Sequence, residues 1–356
     1  MIIDSIINRP YSKWLEGTGP FSEIVISSRV RLARNLLEVP FPHQMTEKQA
    51  QEVVDAVAQV VEKNEMFQQL GTMEVVTLNE LSALDRQILV EKHLISPVHA
   101  ESTARGRGLV IRDDEAISIM VNEEDHLRIQ CLFPGLQVKE AWDMATRVDD
   151  YLESSLNYAF DEKWGYLTVC PTNVGTGMRA SVMLHLPALV ITNQAQRVLS
   201  TLSQIGLAVR GLYGEGTEAT GNLFQVSNQV TLGPREEEIV NNLTTVTGHI
   251  IEQEKRARQH LLGKARLSLE DRICRALGVL VNARIMTSEE ALSHLSDVRL
   301  GVDLGIIKTT DLKALNELIV LTQPGYLQKL AGQEMSALDR DEKRANIIRE
   351  KLNAHK

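Results

Sequence analysis

Three short β-rich runs, Gly108–Arg112, Ala116–Val121 and Leu127–Leu132, follow one another with only acidic turns between them, Asp113-Asp114-Glu115 and Glu123-Glu124-Asp125. Connections this short fit an antiparallel meander, because a parallel pair needs a long crossover. Helical periodicity surrounds this nucleus. Thr46–Phe67 places Val53, Val54, Val57, Val60 and Val61 on one face, and Leu81–His93, Val138–Tyr158 and Gln194–Gln204 read as further helices. Tyr166–Val169, Leu207–Leu212 and Leu223–Ser227 read as strands, so the first 230 residues are α+β. After Gly233-Pro234 the pattern changes. Nearly all of Arg235–Lys356 is helical in period, interrupted at Gly263, Gly301, Gly305 and Pro324-Gly325. The expected architecture is a largely antiparallel sheet flanked by helices over residues 1–262, followed by a small all-helical domain over 263–356.

Composition narrows the class of protein. With 43% hydrophobic and 24% charged residues the chain is ordinary globular material. No segment reaches the length needed to span a bilayer, and the start, Met1-Ile2-Ile3-Asp4-Ser5, lacks the pattern of a secretory leader. Cys131, Cys170 and Cys274 are odd in number and widely spaced, which points away from a disulfide framework or structural zinc and towards a reducing cytoplasm. A net charge of −9 argues against broad nucleic-acid binding and favours basic partners.

Against that acidic background, arginines gather beside the segments richest in chemistry. Cys170-Pro171-Thr172-Asn173-Val174-Gly175-Thr176-Gly177 joins one thiol to two glycines that permit backbone conformations closed to other residues, and Arg179 follows. Cys170 equally fits a small buried hydrophobe. Arg29 and Arg31, two apart in Ser27-Ser28-Arg29-Val30-Arg31, project to one face if that segment is a strand. Arg128, Arg179 and Arg210 bring the cations to five, enough to neutralise a triphosphate during transfer. Glu123 and Glu124 follow a strand, and Glu215 follows a glycine. Carboxylates so placed can clamp a guanidinium and accept its proton, although Glu123-Glu124-Asp125 also fits an acidic hairpin turn.

Cys170–Thr176 and Asn122-Glu123-Glu124-Asp125-His126-Leu127-Arg128 match, residue for residue, two motifs of the phosphagen kinases, the ATP:guanidino phosphotransferases. An Arg-x-Arg element precedes them and Arg210-Gly211-Leu212-Tyr213-Gly214-Glu215 follows, so the chain resembles that family over about residues 20 to 260. The resemblance implies ATP as its Mg2+ complex. It assigns phosphates to Arg29, Arg31, Arg128, Arg179 and Arg210, and it implies a place beside the nucleotide for His93. The neighbours Ser27, Ser28, Val30, Ala180, Ser181, Val182, Met183, Gly211, Leu212, Tyr213 and Gly214 belong to the same nucleotide-binding segments. Glu124 and Glu215 are implied to hold and deprotonate the guanidinium, Cys170 to polarise it, and Glu123 to reach magnesium indirectly through a water.

Metabolite-directed members carry a helical domain ahead of the Arg-x-Arg element that closes over a small substrate, whereas Arg29 here lies close to the first residue. An open site suiting an arginine side chain on another protein is therefore expected. That arrangement resembles the bacterial protein-arginine kinase branch, which marks proteins for an ATP-dependent protease. Arg340, Asp341, Arg344 and Ala345 match that branch's phosphoarginine-binding element, and on a helix Arg340 and Arg344 fall one turn apart. A solvated salt-bridged helix face is the plain alternative. The branch also implies protein substrates with exposed arginine, an activator protein, Clp-type protease machinery and a homodimer. A kinase of free arginine or another small guanidine, and a phosphoarginine-binding adaptor, are the competing functions.

Overall fold

The computed structural model describes residues 1–101, 106–211 and 220–353. Its centre is an eight-stranded sheet built from β1 (Val25–Arg34), β2 (Met73–Thr77), β3 (Gly108–Arg112), β4 (Ile117–Val121), β5 (Leu127–Pro134), β8 (Met178–His185), β9 (Leu207–Gly211) and β10 (Leu223–Asn228). A separate two-stranded hairpin holds β6 (Phe160–Asp161) and β7 (Gly165–Tyr166). The strand order is β2-β3-β4-β5-β1-β8-β10-β9, and every pairing is antiparallel. The meander read from the sequence thus supplies three of the eight strands, β3, β4 and β5. Its turns use left-handed residues, Glu115 at φ 65° and Asn122 at φ 59°.

One face of the sheet is apolar throughout. Val30, Leu32, Ile119, Ile129, Cys131, Ala180, Val182 and Val226 pack in a core closed by helices Val138–Glu153 and Glu236–Lys264. Each fully buried aliphatic side chain there contributes on the order of 2 kcal/mol of transfer free energy. The other face is divided. Over β2–β4 it is apolar, with Leu109, Ile111 and Met120 covered by Ile3, Ile6, Trp14, Leu15, Ile88 and Leu89. Beyond β5 it carries the polar site.

The first long helix runs Glu47–Lys63, opened by a capping box between Thr46 and Gln49. Asn64 then caps a separate short turn, Glu65–Gln68, which divides the single helix expected from periodicity. Tyr166–Val169 is not a strand beyond Tyr166. Its backbone is held instead by single bonds, from Leu167 N to Ala159 O and from Val169 N to Asp125 Oδ1.

After β10 the described chain is helical, with segments Glu236–Lys264, Arg266–Asn282, Ser288–Asp303, Leu312–Leu321, Pro324–Ala331 and Ala337–Asn353. Gly263 lies inside the first of these, and the break falls at Ala265. These helices are fastened to the sheet-bearing part by half-buried polar contacts. Glu91 accepts from Gly325 N and Tyr326 N, Arg299 donates to Ser22 O, and Arg258 donates to Glu23 O. No helix among the described residues is long and apolar enough to cross a membrane.

Candidate active site

Strand register alone puts the arginines together. Arg31 lies opposite Gln130 on β5 and Arg179 on β8, Ala33 opposite Arg128, and Arg210 opposite Gln225, which in turn faces Met183. Side chains opposite one another share a face, so Arg29, Arg31, Arg128, Arg179 and Arg210 all belong to the polar half of one sheet face. Partners are few. Arg29 donates to Gln225 Oε1 at 3.1 Å and Arg179 to Ser227 Oγ at 3.4 Å, while the buried Nε of Arg31 has no hydrogen-bond partner.

That crowding is electrostatically unfavourable. Burial, then Arg179 and Arg128, lower the Arg29 guanidinium to about 10. Burial and the charges of Arg29, Arg128 and Arg179 push Arg31 well below the guanidinium range, with Glu123 the sole opposing neighbour. A polyanion laid on this face would offset the repulsion at both guanidiniums.

Beside Arg29 a small pocket is lined by Trp14, Ser27, His93, Leu132, Ser181, Met183 and Gln225. His93 follows helix Ala83–Glu91 in a left-handed conformation and meets the Trp14 indole edge-on at 5.2 Å. Burial, then Arg29, lower its imidazole to about 4, so at neutral pH it is uncharged. Unfolded, it would take a proton near pH 6.5. The folded state therefore binds fewer protons between about pH 6.5 and 4, and its stability contribution is lost as pH falls through that window. Its NMR titration midpoint is expected near pH 4 in the free protein and higher with nucleotide bound, since phosphates would neutralise Arg29.

Asn122–Arg128 is mostly a device for presenting one carboxylate. Asn122 Nδ2 donates to Ala50 O and Gly106 O, and His126 Nδ1 accepts from Leu36 N. Glu123 is buried, accepting from Arg128 at 2.6 Å and from the Ser96 hydroxyl. Burial opposes its charge, but Arg128 and Ser96 hold its carboxyl below the usual range. Glu124 is the exposed member. Its carboxylate has 40% side-chain exposure, lies 3.5 Å from Arg128 and is raised by burial with only partial relief from Arg128, as suits a proton acceptor. It opens into a groove lined by Pro42, His43, Thr46, Glu47, Arg107 and Val169.

Asp125 joins Glu124 to the thiol. One of its oxygens accepts from Val169 N at 2.8 Å and from Asn35 Nδ2 at 2.7 Å, so Glu124 and Cys170 each stand one residue from a shared anchor. Cys170 is half-buried, with Sγ 3.0 Å from Thr172 Oγ1, and so it is not a core hydrophobe. Thr231 Oγ1 ties down Thr172 O and Val174 O, each at 2.8 Å. The two glycines are required by space as well as φ. A Cβ on Gly175 (φ 111°) would sit 2.3 Å from Thr231 O, and one on Gly177 (φ 62°) would sit 2.6 Å from Ala33 O.

Not every residue of the matching segments reaches this face. Val30, Ala180 and Val182 are fully buried in the opposite core, and Ser28 bonds Gly135 O and Gln137 N. Ser27, Ser181 and Met183 line the pocket. Gly211 ends β9, whereas Leu212, Tyr213, Gly214 and Glu215 lie outside the described residues. Arg344, on helix Ala337–Asn353, is buried and donates to Thr322 O, Met286 O and Asp341 Oδ1. Arg340 donates to Met335 O, and Ala345 is buried. The structure adds residues that sequence reading passed over. Gln225 and Ser227 contact the arginines and show only as two polar positions at strand spacing, and Trp14 has no local signal at all.

Among the described residues no group of three or more His, Cys, Asp or Glu could hold a metal ion. Each Glu123 oxygen already accepts a hydrogen bond, one from the Ser96 hydroxyl and one from Arg128.

Comparison with known proteins agrees with this geometry. Residues 52–257 match the family "ATP:guanido phosphotransferase, C-terminal catalytic domain", and residues 266–356 match "Protein-arginine kinase McsB C-terminal domain". The protein-arginine kinase of Desulforamulus reducens is 56% identical over 354 residues, covering 99% of both chains. That of Moorella thermoacetica is 57% identical over 341 residues, covering 96% of this chain and 97% of its own. Among solved structures, lombricine kinase superposes with a TM-score of 0.58 at 23% identity, over 71% of this chain and 76% of its own, a likeness of fold. The substrate-free duplicated taurocyamine kinase from Schistosoma mansoni gives 0.58 at 22%, over 81% of this chain and 43% of its own. With an arginine-lined sheet face, a carboxylate and thiol sharing one anchor, and full-length likeness to these relatives, the chain belongs to the ATP:guanido phosphotransferase family, in its protein-arginine kinase branch.

Proposed function

We propose that the protein transfers the γ-phosphoryl group of MgATP to arginine side chains of other proteins. The observation that carries this reading is the set of five guanidiniums on one sheet face, bordered by the half-exposed carboxylate of Glu124. Arg29, Arg31, Arg128, Arg179 and Arg210 hold the triphosphate, and the pocket of Trp14, His93 and Met183 takes the nucleoside end. Magnesium arrives as part of the substrate, coordinated by phosphate oxygens, with Glu123 reaching it through water.

A guanidinium is a poor nucleophile until it loses a proton. Glu124 and Glu215 clamp the substrate guanidinium and one of them takes that proton, while Cys170 polarises the cation from the other side. The freed nitrogen pair attacks the γ-phosphorus, an N–P bond forms, the bond to the β,γ-bridging oxygen breaks, and ADP leaves with that electron pair. The arginines stabilise the charge that moves onto the bridging oxygen.

The groove at Glu124 and the likeness to protein-arginine kinases support a protein rather than a free amino acid as acceptor. We assign catalysis to residues 1–262 and regulation to 263–356, with Arg340, Asp341, Arg344 and Ala345 binding phosphoarginine. We also infer a cytoplasmic homodimer that works with an activator protein and marks substrates for a Clp-type protease.

The test incubates the protein with ATP, magnesium and an unfolded basic protein, then detects phosphoarginine under non-acidic conditions. Phosphoarginine on the protein, with free arginine unmodified, is the expected result. Turnover of free arginine alone would move the acceptor to small guanidines. Phosphoarginine binding without turnover would favour the adaptor.

A further inference from the structure

Lys92 is a fully buried lysine outside the transfer machinery, one residue before His93. Its ammonium spends all three donors, on Glu115 Oε1 at 2.8 Å, Ile6 O at 2.7 Å and Tyr11 O at 3.1 Å. Its own carbonyl accepts from Trp14 Nε1 at 3.1 Å. One residue therefore grips the N-terminal segment through both side chain and backbone.

The anchor under the ammonium belongs to the sheet. Glu115 lies in the turn between β3 and β4, left-handed at φ 65° and buried, with Arg9 3.8 Å from the same carboxylate oxygen. Ile6 sits in the last turn of helix Ile2–Asn8, and Tyr11 stands three residues before Trp14. The described residues 1–24 contain no strand, so no strand register fixes where Trp14 comes to rest. Apolar packing of Ile3, Ile6 and Ile7 holds this segment without direction, whereas the three ammonium contacts are directional.

His93 is fixed separately. Its carbonyl accepts from Gln130 Nε2, on β5, at 2.8 Å, and its N–H donates to Val90 O at 2.8 Å. Of the two rings that meet at 5.2 Å, one is thus held by the sheet and the other through Lys92. Burial lowers the ammonium, with Glu115 opposing. A buried pair of this kind adds little stability over apolar replacements, but it does fix a position.

We propose that Lys92 is a positioning residue for ATP: by stapling the chain at Ile6 and Tyr11 to the Glu115 turn, it sets the Trp14 indole against the His93 imidazole and shapes the pocket beside Arg29. The inference rests on that pocket taking the nucleoside end of the nucleotide.

Lys92→Met removes the ammonium and keeps an unbranched side chain. In the full-length protein it is expected to raise KM for ATP by about five- to tenfold, with kcat and KM for the protein acceptor within about twofold of the parent. Binding lost at the nucleoside end is common to ground and transition states, so KM moves and kcat does not. Affinity for inorganic tripolyphosphate, measured by calorimetry, should stay within about twofold, because the arginines hold phosphates without Trp14. A purely structural role would lower the melting temperature and the active fraction without moving the ratio of ATP to tripolyphosphate affinity. Lys92→Met with Glu115→Gln removes both charges and supplies the measurement if the single variant does not fold. An unchanged KM for ATP in either folded variant, or an equal loss for tripolyphosphate, overturns the inference. Trp14→Leu and His93→Ala are measured alongside. If neither lowers ATP affinity relative to tripolyphosphate, the pocket does not take the nucleoside and the inference falls with it. If either does and the folded Lys92 variants do not, only the positioning role is lost.

Discussion

Replacing Arg31 by methionine is expected to raise the melting temperature of the nucleotide-free protein while lowering kcat/KM for ATP by about two to three orders of magnitude. Both halves have one cause. Arg31 is a charge held among like charges, desolvated, with its Nε unpaired, so its ionised form is disfavoured in the folded state relative to water. Methionine keeps an unbranched apolar side chain, removes the charge and lets Arg29 and Arg179 relax. The same charge is what a transferring triphosphate needs, because fixed cations stabilise developing negative charge without reorganising when the reaction occurs. Thermal unfolding without ligand and steady-state kinetics with varied ATP check the two halves. A lower melting temperature would mean that the arginine face is not under repulsion. Unchanged kcat/KM would remove Arg31 from the phosphate site.

The second large effect concerns stability. Asp149→Ala is expected to destabilise the protein by about 3 kcal/mol, since it leaves a buried guanidinium with only Glu236, 3.8 Å away, as counter-charge. Arg34 is 1% exposed and spends every nitrogen: Nε on Asp149 at 3.0 and 3.1 Å, Nη2 on Asp149 at 2.6 Å, and Nη1 on Ala33 O and Thr176 O, each at 2.9 Å. Its plane also lies 3.5 Å from the Tyr166 ring centroid. Burial works against that charge, while Asp149, Tyr166 and Tyr158 more than offset it and raise the guanidinium above its ordinary value. Because one arm holds Thr176, loss of Asp149 should also loosen the loop that carries Cys170. Chemical denaturation measures the first consequence, and the alkylation rate of Cys170 measures the second. The double variant Arg34→Met, Asp149→Leu should recover much of the stability, because it removes the buried guanidinium together with its bidentate partner and leaves only Glu236, whose side chain is 24% exposed, without a cation. Failure of that recovery would assign the loss to packing.

Much of the site's alphabet was legible before folding. Arg29 and Arg31 share a face because side chains alternate along any strand, and Gly175 and Gly177 announced a backbone that other residues cannot follow. Glu124 was legible as a presented carboxylate, and only the family resemblance, not the residues themselves, set it apart from Glu123. Both sit in the same acidic turn, and only the fold buries one in the Ser96–Arg128 grip and leaves the other 40% exposed. Arg344 marks a different limit. Its spacing to Arg340 on a helix is correct, yet helical period cannot tell a solvated guanidinium from one that packs under a neighbouring helix and caps Thr322 O.

By itself, then, the sequence determined what depends on near neighbours: the antiparallel meander, the helical second half, the two-residue spacing of the arginines and the glycine-dependent loop. Tertiary structure alone decided which distant segments share a surface. The Arg34–Asp149 pair joins residues 115 positions apart, Arg29 meets Gln225 across 196, and Asn222 meets Ser296 across 74. Backbone sterics set local geometry within a few residues. Strand register and core packing are cooperative properties of the whole chain, and so the face on which five arginines converge exists only once the sheet has closed.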